Sequence, residues 1–137
     1  VGVYSFIAGF LADRFGNRLV LRGQLVVCAL APLLAITLMS GAINEGQRWY
    51  WLTFCLIGIA PVTMRTLVNF TLELTARTNH PRYVSTLSVC LALPFCTSPL
   101  VGYCVDLFGF APVFIGASLV ISTGFLLSFR LPEPRFD

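Results

Sequence analysis

The 137-residue chain is 57% hydrophobic and 11% charged, with a formal net charge of +3 at pH 7. A soluble domain carries roughly 25% charged residues to cover its surface, so this composition excludes an ordinary soluble fold and leaves lipid to solvate the apolar remainder. The charge comes from nine arginines and no lysine against six acidic residues. Those arginines form no continuous basic stripe, so nucleic-acid binding is not expected.

Residues 1–12 open the chain as an apolar run that would extend roughly 18 Å as a helix. The hydrocarbon core of a bilayer is about 30 Å thick, so this run cannot cross it alone. It lacks the charged start of a signal peptide and reads as the tail of a helix that begins earlier, making the chain a fragment. Four longer apolar runs follow, at 19–40, 49–72, 83–105 and 111–129. Each approaches the roughly 20 residues of a membrane-spanning helix. Barrel strands fit less well, because the runs show no period-two alternation and are about twice a barrel strand's length. Arg22 and Gln24 interrupt the first run near its start, and Arg65 is the single charge in the second. The expected fold is one all-α integral membrane domain over residues 1–137. It has four full helices and one truncated helix, with residues 130–137 as a tail.

The connections between runs differ in charge. Arg14, Arg18 and Arg22 lie at the first, Arg77 and Arg82 at the third, and Arg130 and Arg135 in the tail. The second has Glu45 and Arg48, and the fourth only Asp106. By the positive-inside rule the first, third and tail segments are expected to be cytoplasmic. This alternation agrees with the helix count. Trp49, Tyr50 and Trp51 cluster at a proposed outer helix end, where aromatic side chains favour the interface. Pro32, Gly58, Pro61, Pro94, Pro99 and Gly102 fall inside the proposed spans, which membranes tolerate and where helices bend. No internal repeat is read at this length.

Cys28, Cys55, Cys90, Cys96 and Cys104 all lie within apolar stretches and none forms a CxxC pair. They read as small membrane-buried residues rather than as a metal site or disulfides. His80 stands in a polar connection beside Pro81, without ligand partners nearby. Asn69-Phe70-Thr71 matches a glycosylation sequon, but at a cytoplasmic helix end it is not expected to be used. No nucleophile–base arrangement or phosphate-binding glycine loop is present, so enzymatic activity, a cofactor and a metal are not expected.

The first connection reads Gly9-Phe10-Leu11-Ala12-Asp13-Arg14-Phe15-Gly16-Asn17-Arg18. It resembles the signature loop of the major facilitator superfamily, G-x-L-a-D-R-x-G-R-[RK]. Gly9, Leu11, Ala12, Asp13, Arg14, Gly16 and Arg18 match, and Asn17 stands at a frequently basic position. Gly9 would allow close helix approach and Gly16 a tight reversal, while Arg14 and Arg18 hold the turn in the cytoplasm. Asp13 would pair with an arginine or with the positive end of a neighbouring helix. Further on, Asn69-Phe70-Thr71-Leu72-Glu73-Leu74 followed by Pro81-Arg82-Tyr83 resembles the tenth-helix end of uncharacterised bacterial members, with the order of Arg and Pro reversed. Ser98-Pro99-Leu100-Val101-Gly102 and Asp106-Leu107-Phe108-Gly109 look like the eleventh helix and its outer turn. Leu131-Pro132-Glu133-Pro134-Arg135 is similar to the exit from the last helix.

The resemblance implies part of a bundle in which two six-helix halves rock around a central site, here the end of helix eight through helix twelve. Helices two to six are the alternative, because the halves are related repeats. It implies secondary transport of an unknown small solute by alternating access in a cell membrane, plasma or bacterial inner. The expected partners are that solute, membrane lipid and the remaining helices of the same transporter. A non-transporting scaffold or sensor with a transporter-like fold is the alternative, since fold alone does not fix function.

Arg65, Asn69 and Glu73 follow one another at spacings of four and share one helix stripe. A charge inside a span must face protein or water. Two readings stand for Arg65. It contacts an anionic solute or a coupling carboxylate with Asn69 beside it, or it pairs structurally with Glu73 or another acid. Proton coupling usually needs a carboxylate within a span, and none of the four runs contains one.

Overall fold

The computed structural model describes residues 1–41, 46–75 and 77–131. The expectations placed on Glu45, Glu133 and Arg135 fall outside these residues. All regular structure among the described residues is helical. Seven α-helices follow in order: α1 (Gly2–Phe15), α2 (Asn17–Met39), α3 (Tyr50–Ile57), α4 (Ala60–Glu73), α5 (His80–Cys96), α6 (Ser98–Phe108) and α7 (Phe110–Leu127). Short 3-10 turns lie at Gly46–Trp49, Arg77–Asn79 and Ser128–Arg130.

These helices combine into four segments long and apolar enough to cross a membrane: Asn17–Met39, Tyr50–Glu73, His80–Phe108 and Phe110–Arg130. Each overlaps one of the four expected runs and differs from it by a few residues at the ends. Two of the segments are broken. Between α3 and α4 the chain turns at Gly58 and Ile59 and restarts with Pro61 in the first turn of α4. Between α5 and α6 it turns at Thr97, three residues after Pro94 and just before Pro99. Proline has no N–H to give the preceding turn, so the ladder breaks there and a new helix nucleates on the ring's fixed φ.

α2 is the hub. It packs against α1, α3, α4 and α7. Asn17, Leu21, Gln24, Ala31 and Leu38 are buried at alternating spacings that keep them on one stripe. Cys28 lies on the same stripe, and its Sγ is 3.8 Å from the Thr63 hydroxyl of α4. About a quarter turn round, Ala29 accepts a 3.1 Å hydrogen bond from Ser118 Oγ of α7. α4 in turn buries Val62, Thr66 and Phe70, one helical turn apart.

The exposed surface is apolar. Phe6 and Phe95 are each 77% exposed, and α5 and α6 bury no residue at all. In water that surface would be prohibitive; lipid tails, or further helices, satisfy it. Burial of apolar groups then supplies little driving force, and packing with inter-helix hydrogen bonds holds the seams. The hydroxyls obey the same economy. Thr63, Thr66, Thr71, Thr86, Ser88 and Thr123 each donate to the carbonyl four residues earlier. No polar hydrogen is left bare towards hydrocarbon by these side chains.

Candidate functional site

The first connection is shorter than the sequence implies. α1 runs to Phe15 and α2 begins at Asn17, so the turn is Gly16 alone. Its φ of 86° and ψ of 154° lie in a region essentially reserved for glycine. The residue is buried, and its N–H closes α1 on the Ala12 carbonyl at 3.0 Å. The expected tight reversal at Gly16 is therefore present, as a helix–glycine–helix corner rather than a loop.

Because Asp13 is still helical, Gly9 and Asp13 lie one turn apart on the same side of α1. Asn69 and Glu73 are likewise one turn apart on α4. The two pairs meet. Gly9, Ala12, Asp13, Asn17, Asn69, Leu72 and Glu73 line one polar cavity of about 330 Å³ at the arginine-rich end of the helices. Asn17 is buried at the first position of α2, while Glu73 is half-buried and Asn69 exposed. The site thus gathers two carboxylates and two carboxamides from three helices that converge on one corner. Separation of α1 from α4 would change what every one of them faces.

A Cβ added at Gly9 would meet no described atom within 4 Å, and its bare backbone forms part of the cavity wall. Asp13 meets no arginine among the described residues. Arg14 is exposed, with its guanidinium carbon 5.6 Å from the Phe15 ring centroid.

The remaining signature arginine works elsewhere. Arg18 Nη2 donates to the Phe129 carbonyl at 2.9 Å, and Arg22 Nη2 donates to the Ser128 carbonyl at 3.1 Å. These carbonyls belong to the 3-10 turn that ends the α7 segment, where helical acceptors run out of partners and the dipole is negative. Two cations at the start of α2 therefore cap the end of α7. Sequence reasoning gave both arginines a topological role only; their spacing of four, on one face of a helix, was the available signal.

Arg65 stands apart. It is exposed on α4, and among the described residues no hydrogen bond or ion pair engages it. It lies roughly 12 Å along the helix from Glu73 and does not line the polar cavity. The alternative of an Arg65–Glu73 pair is not what the structure forms. His80 Nε2 is 2.9 Å from the Thr75 carbonyl oxygen, which ties the start of α5 to the end of α4.

Gln24 was passed over as an interruption of an apolar run. It is 4% exposed, and neither its amide nitrogen nor its carbonyl oxygen has a partner among the described residues. A larger cavity, about 740 Å³, is a different feature again: an apolar cleft among α2, α3, α4 and α7, with Cys28, Pro32, Phe54, Thr63 and Phe114 among its walls. It offers almost no polar group to orient a solute, which binding pockets ordinarily have. The chemistry lies in the smaller cavity.

No protein-family model, curated protein or solved structure matches this chain.

Proposed function

We propose that this chain is part of a major facilitator superfamily transporter and serves secondary transport of a small solute by alternating access. One observation carries the reading: Gly9 and Asp13 of the signature segment share a cavity with Asn69 and Glu73 of α4. Two of the sequence stretches that resemble the family are far apart in the chain, yet they meet at one corner. A carboxylate at that corner, on the cytoplasmic side by the arginine distribution, has a physical use. It biases whether α1 and α4 lie closed or apart, and a two-state bundle needs such a bias at each end.

Arg65 and Asn69 lie deeper along the same α4 stripe and are exposed. A cation at that depth requires protein or water around it, which fits a solute pathway bordered by α4 and completed by other helices of the bundle. The apolar flanks of α5 and α6 provide a surface for those helices or for lipid.

The test is flux. Full-length protein reconstituted in vesicles is screened for gradient-driven accumulation of small solutes, with Asp13→Asn alongside. Accumulation in the parent that falls roughly fivefold or more in Asp13→Asn, with membrane insertion unchanged, supports the reading; coupling energies of 1–3 kcal/mol give changes of this order. Parental flux in Asp13→Asn removes the gating role.

A further inference from the structure

Three arginines converge where α2 begins and the α7 segment ends. Arg18 and Arg22 each give Nη2 to one carbonyl, of Phe129 and of Ser128. A guanidinium has five N–H donors, and the Nε–H of both side chains has no partner among the described residues. The third arginine is exposed Arg130. The carbonyl that Arg18 holds belongs to the peptide bond leading into Arg130, which puts the Arg130 backbone within roughly 6 Å of the Arg18 guanidinium. Among the described residues no ion pair engages any of the three. Asp13 and Glu73, the described acids at this end of the helices, line the cavity between α1 and α4 instead. The two carbonyls thus hold Arg18 and Arg22 in place without neutralising them.

Beside these charges α2 turns an apolar face outward. Leu19, Gly23, Val26, Leu30 and Leu33 are all exposed. Their spacings alternate between four and three, so they form one stripe, next round the helix from Arg18 and Arg22. A Cβ added at Gly23 would meet nothing within 4 Å. The stripe extends roughly 21 Å along the helix, more than the depth of one leaflet's hydrocarbon, about 15 Å. At the arginine end the exposed ring of Phe129 stands at the level where aromatic side chains meet headgroups.

We infer that this corner binds an anionic phospholipid of the cytoplasmic leaflet, its phosphate on Arg18 and Arg130 and one acyl chain along the stripe that begins at Leu19. The planar fork of arginine matches phosphate oxygens, and basic pockets between membrane helices on the cytoplasmic side take such headgroups. The arginine distribution puts the corner on that side. A zwitterionic lipid brings an ammonium group that the arginines repel, so net charge discriminates between lipids. A free phosphate offers the same oxygens but no chain for the stripe. Seated there, the lipid ties the start of α2 to the end of α7, whether or not the protein transports a solute.

The experiment titrates full-length protein in a neutral detergent with phosphatidylglycerol, or with phosphatidylcholine of the same chains, and follows thermal denaturation. Phosphatidylglycerol should raise the melting temperature saturably, at a concentration at least about tenfold below that needed with phosphatidylcholine. Arg130→Gln should raise the required concentration roughly fivefold, the effect of one arginine near an anionic lipid surface. Arg18→Gln should do the same and also lower the melting temperature without lipid, because the Phe129 carbonyl loses its donor. Arg82→Gln removes an exposed arginine at the same end of the helices, on α5, and should leave the titration unchanged. An equal response to the two lipids, or an unchanged titration in Arg130→Gln, overturns the inference. So does an Arg82→Gln effect as large as that of Arg130→Gln, which would mean diffuse surface charge. Stabilisation by glycerol phosphate at the same concentrations would mean a site for a free anion, and overturns it too.

Discussion

Arg22 and Phe129 are joined across the seam between α2 and the end of the α7 segment. The guanidinium carbon of Arg22 lies 4.3 Å from the Phe129 ring centroid, while Nη2 donates to the neighbouring Ser128 carbonyl at 3.1 Å. Phe129 is itself held edge-to-face against Phe125, with centroids 5.1 Å apart. A flat guanidinium stacks on the ring and reaches the carbonyl at once, which the ammonium of lysine does not. Arg22→Lys should therefore lower stability by about 1–2 kcal/mol although the charge is kept. In a double-mutant cycle with Phe129→Leu, thermal denaturation in detergent should show a coupling of about 1 kcal/mol. Strict additivity would mean that the ring contact contributes nothing.

Gln24 gives a prediction of opposite sign. Its amide is sealed inside the helices without a partner among the described residues. Leucine has a similar shape and removes the unsatisfied donor and acceptor. Gln24→Leu should raise stability by about 1–3 kcal/mol, the usual cost of a buried polar group left unmade. A lower melting temperature would show that Gln24 has a partner, such as an enclosed water.

The topology is open to direct labelling. Asn17 is buried and unsuitable as a reporter, whereas Phe15, Asn79, Trp49 and Phe110 are exposed near the segment ends. Single cysteines at 15 and 79 should react with an impermeant reagent from one side of the membrane, and those at 49 and 110 from the other. Reaction of 15 and 49 from the same face contradicts the span Asn17–Met39.

Arg65 has no partner among the described residues, and the proposed function puts it beside a water-filled pathway. Arg65→Lys keeps the charge but loses the planar five-donor fork. In full-length protein, flux should fall at least about tenfold, the loss of roughly one strong hydrogen bond, with an unchanged melting temperature. If Arg65→Ala instead depresses melting strongly, an acid on another helix holds the side chain, since breaking a buried pair costs about 3–5 kcal/mol.

The helices and their approximate ends were legible because lipid imposes a length and a composition on every span. The breaks were half-legible: Pro61 and Pro99 marked the restarts, but nothing in the sequence distinguished them from Pro32, which α2 accommodates without ending. Asp13 and Glu73 were each singled out for separate reasons. Their meeting at one cavity required the packing of α1 against α4, which no local pattern encodes. Arg18 and Arg22 were read as topological charges because a carbonyl at a distant helix end leaves no trace in the sequence.

The central claim is that α1 and α4 part and rejoin at the Asp13 corner as solute crosses. Ala12 and Leu72 face the same cavity from opposite helices, and Ala12→Cys with Leu72→Cys places two thiols across the seam. A short bifunctional thiol cross-linker applied to the full-length protein in vesicles should abolish solute flux. The two single-cysteine variants treated alike should transport normally, as should the double variant joined by a reducible linker and then reduced. Parental flux with the seam fully cross-linked would contradict the account.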